Sequence, residues 1–467
     1  MKKRFIPIWA TAALILGCTM APQYERPAAP VAADWPAGPA YDKARTVSGE
    51  PAAEIPWREF ITDDRLRKVI ESALENNRDL RIAAFNVERA RAIYGIQRAE
   101  LLPTVSVSGS GSKQRVPADL SSSGEAGTQE RYSVDLGIAS WEIDFFGRIR
   151  SLSDRAIEEY LATEEARRSA QIMLVSEVYR SYLAVAADRA NLALAQTTLE
   201  TQQETHFIVK RRFEVGIATE LDLRRSQAQV ETARRDVSLY TQFVAQDRNA
   251  LNLLVGASVP ESLLPPDLNA VALPRAVSPR LPSEVLLARP DILGAEHRLK
   301  GANANIGAAR ASLFPRISLT TSLGTASAEL SGLFGSGSDT WLFAPQAVMP
   351  IFDARLWSAL RATKAERQVA VAQYERAIQT AFREVADALA VLGTVEDNVS
   401  AQELVVEANQ QTYRLSTKRY EKGLDSYLSV LDAQRSLYLA QRVLVALNLQ
   451  KQVNRMQLYA ALGGGAM

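Results

Sequence analysis

The sequence predicts a mixed, mainly α fold that is internally duplicated and includes a membrane β-barrel. Three observations carry this. Two halves repeat each other about two hundred residues apart. Each half holds one stretch of nearly seventy and one of nearly forty residues almost devoid of glycine and proline, and two short segments of alternating apolar and polar residues. The chain has 467 residues, 47% apolar and 23% charged, enough for a sizeable core.

Composition removes several function classes. Lysine plus arginine number 54 against 53 acidic residues, so no basic surplus exists to neutralise a phosphate backbone, and no nucleic-acid partner is expected. With Cys18 as the single cysteine, no intramolecular disulfide and no thiolate metal cage can form. The two histidines, His206 and His297, lie about ninety residues apart on helical segments and read as structural residues rather than zinc ligands. There is no nucleophile–base–orienter set and no metal or cofactor constellation, so the chain is not expected to be an enzyme.

Residues 1–17 read as a signal peptide. Lys2, Lys3 and Arg4 precede an apolar run, Phe5 to Gly17, that is too short to cross a bilayer. The run ends Leu14-Ile15-Leu16-Gly17-Cys18, which resembles a bacterial lipobox and makes Cys18 the expected site of lipidation (palmitate); the alternative is an ordinary signal with a chance cysteine. Thr19 in place of an aspartate favours the outer membrane. Removing the three basic residues of the leader leaves 51 basic against 53 acidic. No later segment offers eighteen uncharged apolar residues, so no transmembrane helix is expected. Residues 18–56 are rich in proline and alanine and read as a lipidated, extended N-terminal segment.

The repeat is explicit. Arg98-Ala99-Glu100-Leu101-Leu102-Pro103 matches Arg310-Ala311-Ser312-Leu313-Phe314-Pro315 at an offset of 212. Arg212-Phe213-Glu214-Val215-Gly216 matches Arg419-Tyr420-Glu421-Lys422-Gly423 at 207, and that offset persists to Gly256 against Gly463. This sets a first repeat at 57–256, a proline-rich linker at 257–282, a second repeat at 283–463 and a C-terminal tail at 464–467. Each repeat is expected to run helix, two strands, long helical hairpin.

The long helices are expected over 148–215 and 217–255, then 354–422 and 424–462. Only Gly393 interrupts these runs. Sixty-eight residues of helix would span about 100 Å. Apolar residues step by three and four, as in Val175, Val178, Tyr182 and Val185, which is coiled-coil spacing. Gly216 and Gly423 suit helix C-termini. Thr219 with Asp222 reads as a capping box that restarts the helix, and Ser426 is the expected cap of its counterpart.

The alternating segments begin near Val105 and Val107, Tyr132 to Ile138, Ile317 to Leu323 and Trp341 to Met349, with the Gly/Ser-rich stretches 109–130 and 324–339 read as links. Strands of this length suit either an outer-membrane barrel or a small soluble sheet capping a coiled coil. If they cross a membrane, four strands cannot close, and an open edge in lipid is excluded. Several chains must then share one barrel. Two would give eight strands and three would give twelve, and the small, polar inner faces (Ser133, Gly137, Ser318, Ser322) favour the more open case. Trp141 and Trp341 flank strands, where girdle and core positions both remain open.

Two stretches then carry a family resemblance. Arg289-Pro290-Asp291-Ile292 through Phe314-Pro315, and Tyr420-Glu421-Lys422-Gly423 through Leu431-Asp432-Ala433-Gln434, resemble the TolC (outer-membrane factor) family. Cys18 with Tyr24-Glu25-Arg26-Pro27 is similar to its OprM-like lipoprotein branch. The resemblance covers the chain from Cys18 to Gly463. It implies a homotrimer with a twelve-stranded outer-membrane barrel continued by a twelve-helix periplasmic α-barrel. It implies the exit duct of a tripartite efflux pump, partnered by a periplasmic adaptor (membrane fusion) protein and an inner-membrane transporter of RND type, and anchored in outer-membrane lipid. Carried over residue by residue, it makes Leu428 and Asp432 a periplasmic gate and Tyr420 and Asp222 a latch holding the tip shut. The arginine partner of that latch in relatives matches Asp425 here, and an acidic position common in relatives is Ser429. The competing reading is a periplasmic lipoprotein scaffold or adaptor without a pore.

Overall fold

A computed structural model describes residues 19–46, 49–122, 124–278 and 282–465. The leader and Cys18 lie outside the described residues. The helices are α1 (Trp57–Phe60), α2 (Asp64–Asn76), α3 (Arg78–Ala99), α4 (Arg148–Glu214), α5 (Glu220–Val255), α6 (Pro290–Ala311), α7 (Ala354–Glu421) and α8 (Tyr427–Ala461). The strands are β1 (Val105–Val116), β2 (Gly127–Ile143), β3 (Arg316–Ser327) and β4 (Asp339–Val348). Two compact units form. The first takes the described residues through Ala28 with Asn86–Thr163 and Gly294–Tyr374; the second takes Ala29–Phe85, Glu164–Leu293 and the residues from Glu375 on.

The first unit holds an antiparallel sheet in the order β1-β2-β3-β4. Its strands are longer than alternation alone indicates. Residues 109–116, read from sequence as part of a link, pair with 127–134 as Gly109↔Val134 through Val116↔Gly127, and β3 continues to Ser327. Glycine and serine have little strand preference of their own; cross-strand pairing supplies it. One apolar row crosses all four strands: Val107↔Leu136, Leu136↔Leu323 and Leu323↔Trp341. These residues are 70, 52, 67 and 78% exposed. The adjacent row on the other face reads Ser106↔Gly137, Gly137↔Ser322 and Ser322↔Leu342. A bulge between Ile138 and Trp141 re-aims β2, with Ser140 in the left-handed region at φ 57°.

The extended N-terminal residues lie along α6 in this unit. Arg310 donates to the Met20 carbonyl (3.1 Å) and Asn303 to the Pro22 carbonyl (2.7 Å). Glu296, 3% exposed, receives Arg26 on both oxygens (3.1 and 2.7 Å), Tyr24 (3.1 Å) and Lys300 (3.3 Å). Burial alone would raise the Glu296 carboxyl pKa. The hydrogen bonds from Arg26 and the charges of Lys300 and Arg26 outweigh it, so the carboxyl lies below its usual range.

The second unit holds the tips of both hairpins and the joints between short helices. At one joint, the Asn77 side chain accepts from Leu80 N–H (2.8 Å), starting α3, and donates to the Leu254 carbonyl at the end of α5 (2.8 Å). At the repeat-equivalent joint Arg289 donates to the Ala461 carbonyl at the end of α8 (2.7 Å) while pairing with Asp291 and Glu384. Gly393, mid-helix in α7, leaves room for the Ala40 carbonyl, which a Cβ would strike. The proline-rich stretch packs closely on the helices: Val259, Leu264, Leu268 and Val271 are buried, and Tyr182 donates to the Leu263 carbonyl (2.9 Å).

Candidate functional site

The hairpin turns are built by local chemistry. Both long helices end in a left-handed glycine, Gly216 at φ 78° and Gly423 at φ 72°. In the first turn Ile217 N–H bonds the Arg212 carbonyl (2.8 Å) and Gly216 N–H the Phe213 carbonyl (2.9 Å). The second turn repeats this, with Leu424 to Arg419 (2.9 Å) and Gly423 to Tyr420 (3.0 Å). Each is a complete Schellman closure.

The restarts differ. Thr219 accepts from Asp222 N–H (3.2 Å), and Asp222 accepts from Thr219 N–H (3.4 Å), a reciprocal capping box. Ser426 stands at the N-cap of α8 with extended backbone, but its side chain makes no cap bond, contrary to expectation. The third helical position also differs, Asp222 in the first repeat and Ser429 in the second, so the second restart has no carboxylate for a reciprocal box.

A small core gathers the two tips. Val209, Tyr427, Val430 and Leu431 are buried, with Ala218, Tyr413 and Tyr420 packed against them. Tyr420 tilts on Tyr427 at 5.4 Å between centroids and lies beneath the Arg212 guanidinium at 4.8 Å. Arg212 also reaches the Glu421 carbonyl (3.4 Å), joining α4 to α7. Its repeat counterpart Arg419 instead pairs within its own turn with Asp425 (2.5 and 3.1 Å). Alanine 218 stands where Asp425 would be, so Arg212 is left to cross over. Sequence reading missed Arg212; the signal was this broken pairing between the repeats.

Asp222 is engaged in its cap, and Tyr420 in stacking. The residue they share is Tyr427, whose buried hydroxyl has no hydrogen-bond partner. Burial first, then Tyr420, Tyr413 and Asp222, push its phenol far above its usual pKa. On the other face of α8, Leu428 is 43% exposed and Asp432 is exposed one turn on, paired with Arg435 at 3.0 Å. The histidines are held locally: His206 Nδ1 lies 2.7 Å from Ser226 Oγ, and His297 Nδ1 lies 2.6 Å from a Glu158 oxygen.

The family model for outer membrane efflux protein matches this chain twice, over residues 69–257 and 281–464. The chain belongs to the outer membrane efflux protein family. The double match also fits the duplication. This outer membrane efflux protein is 47% identical over 467 residues to the probable efflux pump outer membrane protein TtgC of Pseudomonas putida, covering 100% of this chain and 96% of the relative. Its fold matches a membrane protein from Pseudomonas aeruginosa with a TM-score of 0.88 at 42% identity, covering 96% and 98% of the two chains. It also matches the open-state MtrE outer membrane channel of Neisseria gonorrhoeae with a TM-score of 0.84 at 38% identity, covering 96% and 99%. The protein has the TolC-like fold and is an outer-membrane efflux channel.

Proposed function

We propose that three copies of this chain close one twelve-stranded barrel and form the exit duct of a tripartite efflux system, opened at the periplasmic tip when a periplasmic adaptor and an inner-membrane RND-type transporter dock. The observation that carries this is the exposed row Val107–Leu136–Leu323–Trp341 opposite a row of Ser106, Gly137 and Ser322 in which Leu342 is the one large apolar residue. An apolar belt belongs against lipid, and a small polar face leaves room for water. Within the described chain β1 and β4 are the sheet's two edges, which lipid does not tolerate unpaired. The repeat suggests how they close. β1 and β4 are the counterparts of β3 and β2, so β4 of one copy pairs with β1 of the next as β2 pairs with β3 within the chain.

At the tip, Leu428 and Asp432 from three copies form the gate, an apolar constriction beside a ring of carboxylates that Arg435 partly offsets. Tyr420 and Asp222 hold the tip shut through Tyr427 and the Arg212 crossing. Cys18 carries acyl groups that anchor the chain beside the barrel; the tether of Met20 to Arg310, six residues before β3, supports this placement.

Reconstitution tests the reading. Purified protein is expected to run as a heat-modifiable trimer and to conduct in planar bilayers; absence of both would favour the non-pore scaffold. Cys18→Ser is expected to abolish radioactive palmitate labelling.

A further inference from the structure

Helices α3 and α6 are repeat counterparts, yet only α6 is covered. Ala90-Arg91-Ala92-Ile93-Tyr94-Gly95-Ile96 matches Ala302-Asn303-Ala304-Asn305-Ile306-Gly307-Ala308 at the offset of 212. In α6, Ala302, Asn303, Ala304, Ile306 and Ala308 are buried. In α3 no residue is buried, and Ile96 is 69% exposed.

The first turns of α4 supply part of the cover on α6. A Cβ at Gly307 would lie 2.6 Å from Ser151 Oγ and 2.7 Å from the Ala21 nitrogen. A glycine inside a helix weakens it, and is used where a neighbour needs the space. Gly95 holds the same place in α3. Among the described residues, nothing outside its own helix comes within 4 Å of a Cβ built there. Ser358, the counterpart of Ser151 at the offset of 207, is exposed, whereas Ser151 is fully buried. Both sides of the α4–α6 contact therefore recur in α7 and α3, and the chain does not bring them together.

The joints with the sheet repeat this. Phe146, leaving β2, stacks on Phe314, entering β3, at 5.0 Å between centroids. Asp353 is one extra residue in the second joint, so Phe146 corresponds to Phe352, and Phe314 to Leu102. Phe352 leaves β4 and is 90% exposed; Leu102 enters β1 and is 68% exposed. Trp357, also exposed, stands where α4 has Arg150, whose charge is held by Asp144 (3.3 Å). Exposed apolar residues grouped in this way mark a surface made for contact.

We infer that α3 and Leu102 of one copy seat the first turns of α7 from a second copy of this chain, with Gly95 against Ser358 and Leu102 against Phe352. β1 and β4 are opposite edges of the sheet, so the partner comes from outside the chain. Pairing β4 with β1 of the next copy brings α7 to α3, as pairing β2 with β3 brings α4 to α6. This seam rests on the trimer reading and adds which surfaces meet beneath the barrel. It also makes the joint between copies apolar at Trp357, where the joint within the chain is ionic.

Cysteine pairs test the seam in the full-length protein, treated with a short bis-maleimide in the membrane and run on denaturing gels. Gly95→Cys with Ser358→Cys, and Leu102→Cys with Phe352→Cys, are each expected to link copies into covalent dimers and trimers. Each single variant is expected to stay monomeric, which controls for any link through Cys18. Gly95→Leu, whose side chain meets nothing within the chain, is expected to reduce the trimer fraction at least tenfold. A trimer in which neither pair links, or Gly95→Leu assembling as well as the wild type, would overturn the seam and leave the trimer standing, with α3 facing lipid or another protein. Absence of a wild-type trimer would overturn both.

Discussion

Arg212 and Arg419 occupy the same position in two copies of one hairpin, 207 residues apart, yet hold different partners. Arg419 is clamped by Asp425 inside its turn, while Arg212 lies 4.8 Å over the Tyr420 ring and ties the two tips together. A cation–π contact at such a site contributes about 0.5–1 kcal/mol, small alone but present three times in a trimer. Arg212→Ala is therefore expected to raise open probability in planar bilayers severalfold, and Arg419→Ala much less. Leu428→Ala with Asp432→Ala is expected to raise single-channel conductance as well, and unchanged conductance would remove Leu428 and Asp432 from the gate.

The two helix restarts should respond unequally. Thr219→Ala breaks a reciprocal box and should cost about 1 kcal/mol. Ser426→Ala removes a hydroxyl that makes no cap bond and should cost a few tenths at most. Amide exchange in the first turns of α5 and α8 measures both, and equal effects would contradict the asymmetry.

Glu296 ties down the N-terminal segment, and its carboxyl lies below the ordinary range. Its stabilising contribution is thus present above the unfolded pKa of about 4.3 and is lost as pH falls through the lower folded value. Limited cleavage after Glu25 by a glutamate-specific protease should stay slow at pH 7 in the wild type and become fast in Glu296→Ala.

Asp247 behaves in the opposite sense. Burial, then the charge of Asp188 and a hydrogen bond with it, raise its pKa to about 6. The protonated form is favoured in the folded hairpin, so stability is full below about pH 4 and declines as pH rises through about 6. Asp247→Asn should flatten this dependence and protect the α4–α5 pair at pH 8, as read by amide exchange at pH 5 and 8.

The two sheet faces should differ sharply. Leu323→Arg places a charge in the apolar row, at about 2–4 kcal/mol near the bilayer midplane, and should reduce trimer assembly. Ser322→Arg, one residue away on the polar face, should leave the trimer intact while lowering conductance and shifting ion selectivity. Matching assembly defects would argue against the assignment of the two faces.

What the sequence determined by itself is the local and periodic part. Gly216, Gly423 and the Thr219–Asp222 box act within a single turn, so their residue types announce them. The long helices declare themselves through hundreds of residues of period and two missing residue types, and the duplication through its offsets. Alternation located the strands but misjudged their extent, because residues 109–116 become a strand only when 127–134 lie opposite. Only the tertiary structure decided the rest. The apolar row joins four strands separated by more than two hundred residues, and register alone aligns it. Asn77 meeting Leu254, Arg289 meeting Ala461, Glu296 gathering Arg26 and Tyr24, Asp188 facing Asp247, and Arg212 crossing to Tyr420 all join residues distant in sequence. Such side chains look like ordinary polar residues until packing removes part of their water and brings their partners alongside. That loss of solvent depends on what the fold brings alongside, which no local pattern encodes.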